Sequence, residues 1–304
     1  MVGYEALRTA AVLAHSGGDE AAETLWAWSW DPGVLVGVAL LGGLYAFGLR
    51  RTPRSVVPRW RIACFYLGLL TVFLALQSPL DALVDDLFML HMVQHLLLVM
   101  IAAPFMLLGA PVMPVLRGLP NGLRRRVAIP VLRNQGLRMA LRFLSSPLVA
   151  LAVFSAVFVG WHLPAFYSRA VENSAVHSLQ QMSFVLVATL FWWNVIDPVP
   201  LRPRLAYPLR LLYIFVAGIP NGVLGAMLTF SSDVWYDAYA NAPRLWGIAA
   251  LEDQRWGGVI MWVPGSLLYL LAVVAVAVVM LMKTEREEQA STGLLPSPNE
   301  GKAQ

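Results

Sequence analysis

The stretch "HMVQHLLLVM" (91–100) sets His91 and His95 four residues apart in an otherwise apolar run. On a helix they share one face, ~6 Å apart along the axis. A neutral imidazole offers one lone pair and one N–H, so such a pair can ligate a metal, relay a proton or satisfy polar neighbours. Two further histidines sit in similar settings, His162 in "GWHLPAFY" and His177 in "NSAVHSLQQM". Thioethers lie nearby: Met89 and Met92 beside His91, Met182 just over one turn beyond His177, and Met227 and Met261 in later apolar runs. Imidazoles with optional thioethers suit copper, especially Cu(I), over oxygen-seeking cations. Zinc accepts imidazole as readily, and an i, i+4 pair does not separate the two. The competing use is packing: His162 could be an interfacial anchor beside Trp161, and each methionine could be core filler.

These residues need elements to hold them, and composition says what kind. The 304 residues are 58% hydrophobic and 13% charged, with mean hydropathy +0.64. Soluble domains carry roughly a quarter charged residues, so the chain is expected to be an all-α integral membrane protein. Seven segments approach the ~20 residues needed to span a bilayer: 33–49, 60–79, 87–109, 147–163, 174–196, 209–231 and 257–282. Residues 1–32 form an N-terminal segment, 33–282 the transmembrane domain, and 283–304 a polar tail expected to be disordered. The first fifteen residues make a poor secretory signal because Arg8 interrupts their apolar run.

Lys and Arg give the orientation. With the N-terminus outside and the C-terminus cytoplasmic, only Arg8, Arg169, Arg244 and Arg255 fall outside. This is the positive-inside pattern. The basic surplus (pI 9.4) is then a topology signal and a contact for anionic lipids, and nucleic acid is a poor reading. The loop 115–144, with seven arginines, has the character of an amphipathic helix at the inner interface. No Walker A, GxSxG or HExxH motif occurs, and the spans contain no lysine, which excludes a retinal Schiff base.

This topology puts His91, His95, His162 and His177 in the outer leaflet or at its edge, with His15 also outside. The single cysteine, Cys64, lies near the cytoplasmic end of the second span, too far to join them. Two stacked haems would require histidines in both leaflets, so haem suits the pattern less well. Asp253, at the outer start of the last span, could orient a histidine or be a solvated loop acid. "GIPNGVLG" (218–225) predicts a kink or a close helix approach in the sixth span.

Four blocks carry a resemblance: "HMVQHLLLVMIAAPFMLLGAP" (91–111), "WHLPAFY" (161–167), "VHSLQQMSFVLVATLFWWNVIDP" (176–198) and "EDQRWGGVIMWVPG" (252–265). In this order they resemble the bacterial CtaG family of cytochrome c oxidase assembly factors, the polytopic type found with caa-type oxidases. The resemblance runs from about residue 30 to 282. It implies a non-enzymatic plasma-membrane protein that helps mature a haem–copper oxidase, with oxidase subunits and an extracytoplasmic copper donor protein as partners. His91, His95, His162 and His177 are carried over as candidate copper ligands, with Met92, Met182, Met261 and Asp253 in support. The alternatives are a haem- or quinone-binding redox subunit, or a metal permease; a permease should carry polar ligands into the inner leaflet.

Overall fold

The computed structural model describes residues 28–197, 204–242 and 244–291. Among these residues all regular structure is helical. The membrane helices are α1 (Pro32–Leu49), α2 (Arg59–Leu83, with a break at Ser78), α3 (Phe88–Leu108), α4 (Pro147–Trp161), α5 (Ser174–Trp193), α6 (Tyr207–Thr229) and α7 (Ala250–Ser291). Six are long and apolar enough to cross a bilayer. A seventh crossing results if α4 and the preceding helix Gln135–Leu144, bent 69° from it, count as one span. The chain is thus a multi-pass membrane protein. All seven expected segments are helical, and α4 is the short one: its 15 residues reach only ~22 Å.

Local chemistry starts these helices where they start. Asp31 caps α1, its carboxylate accepting the N–H groups of Gly33 and Val34 at 2.6 and 3.0 Å. Asn173 caps α5 in the same way. Pro32, Pro147 and Pro208 occupy first turns, where the missing N–H costs nothing. The spans keep apolar residues such as Leu148, Phe215 and Leu270 on their outer surfaces, as lipid contact demands.

Helix α3 is the most buried of the six long apolar helices. It begins at Phe88, where the Asp253 carboxylate on α7 accepts the Phe88 and Met89 N–H groups at 2.7 and 3.0 Å. Just past His95 it loosens into a π-turn, Leu97–Ala102. Pro104 follows closely, lacking an N–H and crowding the preceding turn. The π-turn exposes the Val99 carbonyl to the indole of Trp192 on α5, which donates at 2.8 Å. This relocked turn braces the segment carrying both histidines.

Helices α6 and α7 approach through Gly225 and Gly258. A Cβ on Gly225 would meet Trp262 at 2.8 Å, and one on Gly258 would meet the Gly225 carbonyl at 2.7 Å. The glycines therefore serve close approach, one of the two readings of "GIPNGVLG". Below the histidines, α3, α4, α5, α6 and α7 enclose a hydrophobic core that includes Val99, Leu107, Phe154, Phe191, Trp192 and Ile214.

At the opposite, arginine-rich end, the loop after α3 is helical in pieces, ending in Gln135–Leu144. Arg138 and Arg142 share one face of that helix, while Met139, Leu141, Phe143 and Leu144 are exposed on the other side. The tail departs from expectation. Helix α7 continues past 282 to Ser291, because "KTEREEQAS" consists mostly of good helix formers added to a preformed helix. Residues 292–304, the N-terminal segment before Trp28 and His15 lie outside the described residues.

Candidate functional site

The four imidazoles converge at one end of the bundle. Ring centroids are 4.4 Å apart for His91 and His95, 5.0 Å for His91 and His177, and 6.2 Å for His95 and His162. His91 and His95 project from one face of α3, His162 caps the C-terminus of α4, and His177 lies in the first turn of α5. His91, His95 and His162 are 1%, 6% and 3% exposed; His177 is half-buried. Buried this deeply, His162 is not an interfacial anchor.

Hydrogen bonds assign the proton on three rings. His162 Nδ1 lies 2.7 Å from the Phe158 carbonyl, which can only accept. The neutral ring therefore carries its proton on Nδ1 and its lone pair on Nε2. Tyr239 donates its hydroxyl proton to the Val84 carbonyl at 2.7 Å, so its oxygen receives His91 Nδ1–H at 2.9 Å. The Tyr167 hydroxyl shares that nitrogen at 2.8 Å.

His177 sits at the end of a polar chain. Gln94 uses both N–H groups on the Ala75 carbonyl and the Asp81 carboxylate, each at 2.8 Å. Its oxygen must then accept from Gln181 at 3.0 Å, and Gln181 also donates to His177 Nε2 at 3.0 Å. His95 has no such anchor; its ring packs on Phe184 at 4.5 Å.

What remains is a set of buried nitrogens without hydrogen-bond partners: His91 Nε2, both nitrogens of His95, and His162 Nε2. Each such group costs roughly 1–3 kcal/mol if left unpaired. His95 and His162 line a small cavity of about 30 Å³ with Met92, Met100, Asn221 and Met261 among its walls. That is room for a water or a bare cation. Among the described residues, no three His, Cys, Asp or Glu side chains are disposed to hold a metal together. A cation here would need another kind of ligand beside imidazole.

The remaining sequence candidates separate. Met92 and Met261 are buried against the site, whereas Met182 is 70% exposed on the lipid side of α5. Five residues after His177, it points ~140° around the helix from it. Met227 is exposed as well. Asp253 is neither a solvated acid nor a partner of histidine: it is buried and caps α3. Sequence reasoning missed Tyr167, Tyr236 and Tyr239, which lie on the short helices Pro164–Glu172 and Asp237–Ala240 or just before the latter. They close over the histidines with Phe88, Tyr167 and Tyr236 rings 4.3 Å apart at centroid. Tyr239 meets His91 across 148 residues, and no local pattern announces such a contact. At the same end, a pocket of about 430 Å³ is lined by Asp85, Asp86, Glu172 and Asp237.

Residues 43–283, which include every residue of the site, match the family described as cytochrome c oxidase caa3 assembly factor. The chain belongs to this family, Caa3_CtaG. Its place there agrees with the resemblance carried by the histidine blocks. Among curated proteins, this Caa3_CtaG member is 29% identical over 266 residues to uncharacterised proteins of Mycobacterium bovis and Mycobacterium tuberculosis. It is 25% identical over 257 residues to one of Mycobacterium leprae. The matches cover 84%, 84% and 82% of the Caa3_CtaG chain but only 39%, 39% and 38% of the mycobacterial proteins, so the chain spans about two-fifths of their length. No solved structure matches it.

Proposed function

We propose that this Caa3_CtaG member is a non-catalytic assembly factor of a bacterial plasma membrane that binds copper among its outer-leaflet histidines and delivers it to a cytochrome c oxidase subunit. Family membership supports the assembly role. The copper reading rests on one observation: His95 and His162, whose rings carry unpartnered buried nitrogens, line one small cavity. Copper is cargo here, and its centre in the oxidase is likewise a membrane-embedded histidine site. The acidic pocket at the same end favours the approach of a cation or of a basic face on a copper donor protein. Anionic lipids would meet the arginines of the opposite end.

The alternatives fit less well. Haem or quinone needs a pocket of several hundred cubic ångströms, and the cavity facing the unpaired imidazoles offers about 30 Å³. A permease needs ligands on both sides, and the core below the histidines is apolar.

Metal analysis of protein purified from copper-supplemented cells tests the reading. Copper should co-purify in fixed ratio to the chain, without a Soret band, and disappear on His95→Ala. A protein that takes up no copper, from cells or by titration with Cu(I), would overturn it.

A further inference from the structure

Taking copper binding as above, we infer that the ion is held as Cu(I) by His95 and His162 with the thioethers of Met92 and Met261, while His91 and His177 remain outside its coordination shell as positioning residues.

Only two of the four histidines line the cavity, and both carry buried nitrogens without hydrogen-bond partners. The His162 bond to Phe158 fixes Nε2 as its donor atom, and His95 can present either nitrogen. A cation ~2.0 Å from one nitrogen of each ring holds the centroids ~6 Å apart in linear coordination and ~5 Å apart in a four-coordinate site. The observed separation is 6.2 Å, so the two rings would draw together by about 1 Å on loading.

The other two histidines do not line the cavity. His91 keeps an unpartnered Nε2 away from that lining, and its Nδ1 is tied to Tyr167 and Tyr239. His177 Nε2 is tied through Gln181 to Gln94 and Asp81, so recruiting it would break the chain that positions Gln94 between His91 and His95. Met92 lies one turn before His95 on α3, and Met261 faces it from α7, its backbone carbonyl held by Asn221 at 2.8 Å. Both thioethers are buried and line the cavity.

Charge selects the ion. No carboxylate lines the cavity, so a bound cation keeps its full charge in apolar surroundings. The desolvation penalty scales with the square of the charge, so a monovalent ion incurs about a quarter of the cost of a divalent one. The two thioethers are soft ligands that favour Cu(I) over Zn(II), and imidazole accepts either.

X-ray absorption at the copper edge of the loaded protein should show two nitrogen and two sulfur scatterers. The double variant Met92→Leu/Met261→Leu preserves volume and apolarity, so it should fold. It should lose the sulfur signal and bind Cu(I) at least tenfold more weakly against a competing chelator. Met182→Leu, at a residue exposed on the lipid side of α5, should retain both the sulfur signal and the copper ratio, and Met100→Leu should retain the sulfur signal. Nitrogen-only coordination in the wild type, or loss of sulfur on Met100→Leu, would overturn this ligand set while leaving copper binding intact. A wild type that binds no copper would overturn it together with the functional reading.

Discussion

The Asp253 carboxylate on α7 and the Phe88 amide at the start of α3 meet at 2.7 Å across 165 residues of sequence. One side chain thereby fixes where the histidine-bearing helix begins. Asp253→Ala should lower stability by roughly 1–2 kcal/mol, the upper range for losing a helix N-cap. Thermal unfolding in detergent would measure the loss. Copper bound per folded molecule should not change, because Asp253 touches no histidine; a selective loss of copper without destabilisation would contradict the capping role.

His95→Ala should abolish copper binding and oxidase maturation while leaving the protein in the membrane at near-normal abundance. Neither nitrogen of His95 has a hydrogen-bond partner, so its removal strands no other group. Oxidase activity beside an immunoblot in the mutant strain gives both readouts. Met182→Leu is the matched control, expected to be silent because Met182 lies exposed on the lipid side.

Tyr239→Phe removes one of the two hydroxyls on His91 Nδ1–H, leaving Tyr167, and takes away the donor to the Val84 carbonyl. The expected cost is about 1–3 kcal/mol, that of leaving buried polar groups unpaired. Tyr236→Phe, which frees only the His162 carbonyl, should cost less. Unfolding midpoints of the two variants would rank them, and the reverse order would contradict the proton assignment on His91.

Acid should loosen the opposite end first. Burial alone would raise the Asp197 carboxyl, but the Arg210 hydrogen bond and charge, the Tyr207 hydroxyl and Lys283 outweigh it and hold the group below its ordinary value. A depressed carboxyl contributes stability that is complete above the unfolded value of ~3.9 and is lost as pH falls through the folded one. Through this pair, stability should therefore not vary with pH near neutrality and should decline below about pH 4. Asp197→Asn should remove that acid-dependent part and weaken the protein at pH 7, because Arg210 is buried. An unchanged acid limb in the variant would rule the pair out.

Sidedness follows from the arginine pattern. Cysteines placed at Ser232 and Ser291, in a chain with Cys64 replaced, should react with an impermeant thiol reagent from opposite faces of the membrane. Labelling from the same face would overturn the seven-span topology.

The spans were legible because a bilayer imposes one strong rule: some twenty apolar residues per crossing. The histidine cluster was legible for a related reason, since imidazoles are rare and costly in such a setting and His91 and His95 share a helix face. The methionines were harder, because an apolar residue on a membrane helix faces lipid or core with the same composition. Met182 and Met261 look alike in sequence and lie on opposite sides of the packing. The roles of Asp253 and Tyr239 depend on contacts more than 140 residues away, which no local periodicity encodes. The helical extension to Ser291 was missed because a polar composition reads as tail even when it can prolong a helix already formed.

The apolar core beneath the histidines bears on how any cargo must travel. Val99, Phe154, Phe191 and Trp192 fill the bundle there, so a cation passing that way would exchange its imidazoles for apolar side chains. Loading and unloading would use the same doorway, under the tyrosines of the two short helices. A supplier and a recipient could not stand in it together. Transfer would run as two successive encounters, with the ion waiting in between.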